Sequence, residues 1–126
     1  MIVVHCVTFD CAQPYELATF WRDATGGELH PETEKEDDEI LLQGGGVDLL
    51  FIKVPEGKTV KNRLHLDLTG SAGTTRDEEV ERLLGLGATV FEDRRNPDGT
   101  GWVTMLDPEG NEFCVCRAEY ERVQRP

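Results

Sequence analysis

The order of elements along this chain of 126 residues is read once and then read again, and a repeat of that kind leaves few folds open. Residues 2–10, Ile-Val-Val-His-Cys-Val-Thr-Phe-Asp, are rich in β-branched side chains and read as a strand. Gln13-Pro14 opens a helix, because proline is tolerated in the first helical turn. Pro14, Leu17, Ala18 and Trp21 fall at i, i+3, i+4 and i+7, so they form one apolar stripe. Gly26-Gly27 ends that helix. Three strands follow, around 28–31, around 39–43 and over 47–54, with the Gly44-Gly45-Gly46 triplet turning between the last two. After a polar connection over 55–62 the series restarts. Arg63-Leu-His-Leu-Asp-Leu-Thr69 alternates strictly, as a strand with one buried face does. Thr75 and Glu78 have capping-box spacing ahead of a helix striped by Val80, Leu83 and Leu84. Gly87 closes the helix, and strands are expected around 88–92, 101–106 and 112–118. Pro97-Asp98-Gly99 and Asp107–Asn111 are the turns. The helix-ending glycines Gly27 and Gly87 stand 60 residues apart (87 − 27).

The reading is therefore α+β: two tandem βαβββ modules, over about 1–55 and about 62–118, forming an incomplete barrel around one cleft. The whole of 1–126 is expected to be a single domain, since this length suits one and is short for two.

Charge narrows the partners. The formal net charge is −12, which repels phosphate backbones and anionic lipid, so neither nucleic acid nor a membrane surface is expected as partner. Part of the charge sits in Glu32–Glu39, read as a solvated loop or hairpin tip; it lacks the glycine-centred pattern of a calcium loop. No run approaches the roughly 18 apolar residues of a membrane span, and no signal-peptide pattern opens the chain. The expectation is a cytoplasmic protein. Its four cysteines include no CxxC pair and are expected as reduced thiols.

Parity sorts strand side chains onto two faces. Leu64, Leu66 and Leu68 share one face and should pack under the helices. Arg63, His65, Asp67 and Thr69 share the other. Cys6, Thr8 and Asp10 oppose Val7 and Phe9; Glu112, Cys114 and Cys116 oppose Phe113 and Val115. A curved sheet would gather these polar and sulfur-bearing faces around a small-molecule site.

Asp10–Trp21, Lys58–Asp67, Leu86–Val90 and above all Gly101–Val115, with its DPEGNEF passage, resemble glyoxalase-like proteins of the vicinal-oxygen-chelate superfamily. That superfamily also holds glyoxalase I, extradiol dioxygenases and bleomycin-resistance proteins. The resemblance runs from about residue 3 to 118. It implies ligand positions at Cys6, His65 and Cys114, with Leu50 as the first-module counterpart of Cys114. Metal-dependent relatives use His, Gln and Glu there, and this chain keeps only His65. A Cys6/His65/Cys114 trio suits a single divalent metal, zinc most of all, with three ligands plus water. The plainer reading takes the cysteines as small buried hydrophobes lining a metal-free cleft. Glu112 shares parity with Cys114 and could take its place.

Three roles stay open for His65: a structural partner of Asp67 and Thr69, a ligand-binding group or general base, or a metal ligand. Asp67, Arg63, Trp102 and Leu50 are the candidate substrate-binding residues. Arg63 would anchor an anion or sit in a surface salt bridge, and the Trp102 ring would cover a flat ligand or pack in the core. His5 and His30 receive no role. Three function classes follow: an enzyme of lyase, isomerase or oxygenase type acting on a small oxygen-bearing metabolite, a metal-free sequestering protein of bleomycin-resistance type, or a non-catalytic interaction module. Sheet edges and exposed apolar area suggest a homodimer.

Overall fold

The computed structural model describes residues 1–71 and 73–123. The chain divides into two compact units, Met1–Thr59 and Val60–Pro126. The first carries β1 (Val7–Cys11), α1 (Pro14–Thr25), β2 (Glu28–Leu29), β3 (Glu39–Gln43) and β4 (Leu49–Lys53). The second carries β5 (Leu66–Thr69), α2 (Arg76–Leu86), β6 (Thr89–Asp93), β7 (Trp102–Leu106), β8 (Glu112–Cys116) and a short α3 (Glu119–Val123). The sheets are ordered β1-β4-β3-β2 and β5-β8-β7-β6. In each the first strand runs parallel to the last and the other pairs are antiparallel. The fold is thus α+β, with two similar βαβββ modules and two open, mixed four-stranded sheets.

Local chemistry explains the helices. In α1 the proline stands in the first turn and Gly26, at φ 76°, caps the end by donating its N–H to the Arg22 carbonyl. Pro14, Leu17, Ala18 and Trp21 are buried as their spacing requires, and Phe20 joins them. Trp21 packs on Phe9 and Phe20, and Phe9 stacks on Phe51 at 5.1 Å. Each such large apolar side chain contributes roughly 1.5–3 kcal/mol by leaving water. In α2 the capping box is present in full: Thr75 accepts from the Glu78 N–H, and Glu78 accepts from the Thr75 N–H. Val80 and Leu83 are buried, but Leu84 lies at the rim. The α2 side chain buried beside them is that of Arg76. Its Nη1 donates to the carbonyls of Gly99, Thr100 and Gly101 at 3.0–3.3 Å, and its Nε to Asp77.

Two strands are shorter than their patterns suggest. Residues 2–6 are not in β1, and Ile2, Val3 and Val4 are 79–97% exposed. The ladder to β4 starts at Val7–Leu49 and is spent by Cys11–Lys53, so the β-branched run has propensity without a pairing partner in that ladder. Likewise β5 begins at Leu66, not Arg63, and Leu64 is 89% exposed instead of lying under a helix. Here β8 itself begins at Glu112. Ahead of it, Glu112 accepts from the Asn62 N–H (3.1 Å), and the Asn62 amide donates to Asn111 Oδ1 (3.0 Å), so side chains replace the ladder. Leu66 and Leu68 are half-buried.

The DPEGN turn that sets up this contact is held from inside. The buried Asp107 carboxylate accepts from the backbone N–H groups of Glu109 and Asn111 and from the Asn111 amide. Gly101, at the mouth of β7, has φ 94°, and a Cβ there would stand 2.0 Å from the Arg94 carbonyl oxygen. Only glycine fits.

Candidate functional site

Strand pairing assembles the site in the second unit. On one side of the sheet stand the buried Phe113, Val115, Val103 and Met105. On the other, Asp67 of β5, Cys114 of β8, Thr104 of β7 and Glu92 of β6 form one row of register partners. The next row is Thr69, Cys116 and Trp102. His65 precedes Asp67 by two residues and shares its side of the chain.

Three of these side chains converge. One ligand atom each of His65, Asp67 and Cys114 lies within 4.8 Å of the other two. His65 Nδ1 stands 3.1 Å from Asp67 Oδ1. A carboxylate only accepts, so in this contact the imidazole Nδ1 carries the proton and Nε2 keeps its lone pair. His65 and Asp67 are exposed and Cys114 is buried beneath them. Cys114 Sγ lies 3.4 Å from Thr104 Oγ1, which accepts from the Trp102 indole N–H at 3.2 Å. Burial pushes the Cys114 thiol above its ordinary range, and the nearby Asp67 carboxylate adds to the shift against the opposing Thr104 bond. Burial raises the Cys116 thiol too, again helped by Asp67. All four cysteines are thiols outside any disulfide.

Imidazole, carboxylate and thiolate all bind zinc, and three protein ligands with one open position is the pattern of a zinc site that takes substrate. Tetrahedral zinc would hold such atoms about 3.3–3.6 Å apart, so a pair at the 4.8 Å limit would contract by up to about 1.5 Å. The residues fit.

The expected residues come from both units. His65 and Cys114 meet, and Asp67, foreseen as a substrate contact, completes their cluster. Trp102 borders it through Thr104. Arg63 is exposed in the segment before β5. Glu112 is occupied with Asn62. Cys6 and Leu50 belong to the first unit, where Cys6 Sγ lies 3.8 Å from Thr8 Oγ1. There they line a hollow of about 500 Å³ with His5, His30, Glu39 and Leu41, bordered by Glu32, Thr33 and Asp37 from the acidic run. Thr8–Leu50–Leu41 is the first unit's counterpart of the row Asp67–Cys114–Thr104. Thr104 was not singled out from the sequence, although comparing the parity of β7 with that of β8 would have found it. His5 and His30 receive no role from the sequence because they read as lying on other faces or in a turn; the structure places His5 ahead of β1 and His30 just after β2.

The sequence model described as a glyoxalase-like domain matches residues 6–116. No curated protein matches the chain. Among solved structures, a hypothetical protein from S. aureus superposes with a TM-score of 0.70 at 17% identity, covering 94% of this chain and 95% of that one. A variant of the fosfomycin resistance protein FosX from Listeria monocytogenes, complexed with Mn(II) and 1S,2S-dihydroxypropylphosphonic acid, gives 0.70 at 15% identity, over 99% and 98%. Lactoylglutathione lyase from Agrobacterium tumefaciens gives 0.62 at 19% identity, over 92% and 93%. At these identities the likeness is one of fold.

Proposed function

The chain belongs to the glyoxalase-like domain family, and we propose that it binds a small oxygen-bearing metabolite on the polar face of its second sheet, over a single divalent metal. The observation that carries the reading is the convergence of His65, Asp67 and Cys114 beside Thr104 and Trp102. The Mn(II) and diol phosphonate of the FosX complex support it as chemistry carried on a similar fold.

A bound metal would polarise a substrate oxygen as a Lewis acid. Everything else falls to the chain. Asp67 orients the His65 ring; its Nε2 serves as the ligand when a metal is held and is the atom able to take a proton from the bound molecule only when none is. The exposed indole of Trp102, held by Thr104, covers a flat or apolar portion. Reaction classes consistent with this set are isomerisation, lyase chemistry and oxygenation.

One observation favours a metal-free version. The raised Cys114 thiol keeps its proton near neutral pH, and the His65–Asp67 contact is already closed. In that version the same face sequesters its ligand without chemistry, and His65 and Asp67 anchor it. A melting-temperature screen decides. Small hydroxyketones, hydroxyacids and aromatic compounds are tested with and without zinc. A true ligand stabilises by mass action, about 2.7 kcal/mol at a hundredfold excess over Kd, and the shift disappears in His65→Ala. If no compound shifts the wild-type protein under either condition, the reading is wrong.

A further inference from the structure

We infer that Cys114 is a thiolate ligand in a thiophilic metal centre built on the second unit, selective for zinc or cobalt over manganese and magnesium. This rests on the reading of the His65 face as the functional site and deepens it by naming the metal class.

The argument starts from where the donors sit. All three come from β8, β5 and the residue preceding β5, and the register pairing Asp67 with Cys114 sets them side by side. The sulfur is buried under the cluster while the imidazole and carboxylate stand at its exposed rim. A cation seated there meets the sulfur from above and keeps an open position toward solvent. Thr104 completes the case. An indole N–H can only donate, so the Trp102 bond uses a lone pair of Thr104 Oγ1 and leaves its hydroxyl proton free to point at Cys114 Sγ, 3.4 Å away. Outer partners of this kind orient and tune a ligand. On binding, the Cys114 S–H bond breaks, a sulfur–metal bond forms, and the proton leaves to water. Soft sulfur selects zinc and cobalt, whereas manganese and magnesium prefer oxygen.

Cobalt(II) titration of the full chain reads the sulfur bond directly. The expected result is a sulfur-to-cobalt charge-transfer band in the near ultraviolet, saturating at one cobalt per chain and undiminished by excess manganese. It should persist in Cys6→Ser and Cys116→Ser. Cys114→Ser should lose it and weaken zinc binding about 100-fold or more, the upper end of what losing an outer partner costs. Should Cys114→Ser fail to fold, X-ray absorption of the zinc-loaded wild type serves instead and should show one sulfur at about 2.3 Å. Cobalt bound without the band, a band surviving in Cys114→Ser, a zinc shell without sulfur, or no cobalt bound at all would each overturn the inference. A His65-dependent small-molecule shift in that same protein would leave the ligand-binding reading standing.

Discussion

Asp67 and Cys114 face each other across the parallel β5–β8 pair, although 47 positions (114 − 67) separate them in the chain. Their meeting depends on the Asp107–Asn111 turn, which pins Asn62 and so aims the chain at His65. Asn111→Ala removes the amide bonds to Asp107 and Asn62 at part-buried positions. Chemical denaturation should show a loss of about 1–3 kcal/mol. Ligand affinity measured in the folded variant should fall as well, because the segment carrying His65 loses its anchor.

Arg76 ties the 94–101 loop to α2, and through it fixes the entry to β7. In Arg76→Met the carbonyls of Gly99, Thr100 and Gly101 lose a buried donor. The urea midpoint should report a destabilisation of about 3 kcal/mol. A midpoint unchanged from wild type would show that water replaces the guanidinium without penalty.

Acid sensitivity follows from Arg95. Its hydrogen bonds lower the Asp93 carboxyl from 3.8 to about 2. Asp77 is lowered as well, by Arg76 first, with Arg95 adding to it. A carboxylate depressed on folding contributes stability above its unfolded value, and that contribution fades as pH falls through the folded value. The window is therefore about pH 4 down to about 2. Arg95→Gln should flatten the pH dependence of the urea midpoint there, and added salt should do the same in part, since the Asp93 side chain is solvent-exposed.

Trp21 is buried and Trp102 is 43% exposed, which gives the site its own reporter. Ligand binding on the second sheet should change the emission attributable to Trp102 and leave that of Trp21 constant. Trp102→Phe should abolish the change while ligand still raises the melting temperature. Emission that responds equally in Trp102→Phe would move the ligand elsewhere.

Elements with local causes were legible in the sequence. The Thr75–Glu78 capping box, the stripe around Trp21 and the turn glycines each act within a few residues, so pattern alone finds them. Residues 2–6 and Leu64 were misplaced because strand pattern reports propensity, while a strand exists only where a ladder meets it. The same distinction governs the site. Parity put His65 and Asp67 on one face of their strand and Cys114 on one face of another. It could not say which rows align, and alignment is what brought Asp67 and Thr104 to Cys114. The resemblance points to first-module Cys6, and within the second unit the ligand-type atom that joins His65 and Cys114 is that of Asp67, two residues from His65.

Zinc content of the purified chain and its variants, measured after dialysis, tests this account most directly. The account predicts about one zinc per chain in the wild type and in Cys6→Ser, and loss of that zinc in His65→Ala and Asp67→Ala. Zinc that is absent from the wild type, or that Cys6→Ser loses as fully as His65→Ala, would contradict it.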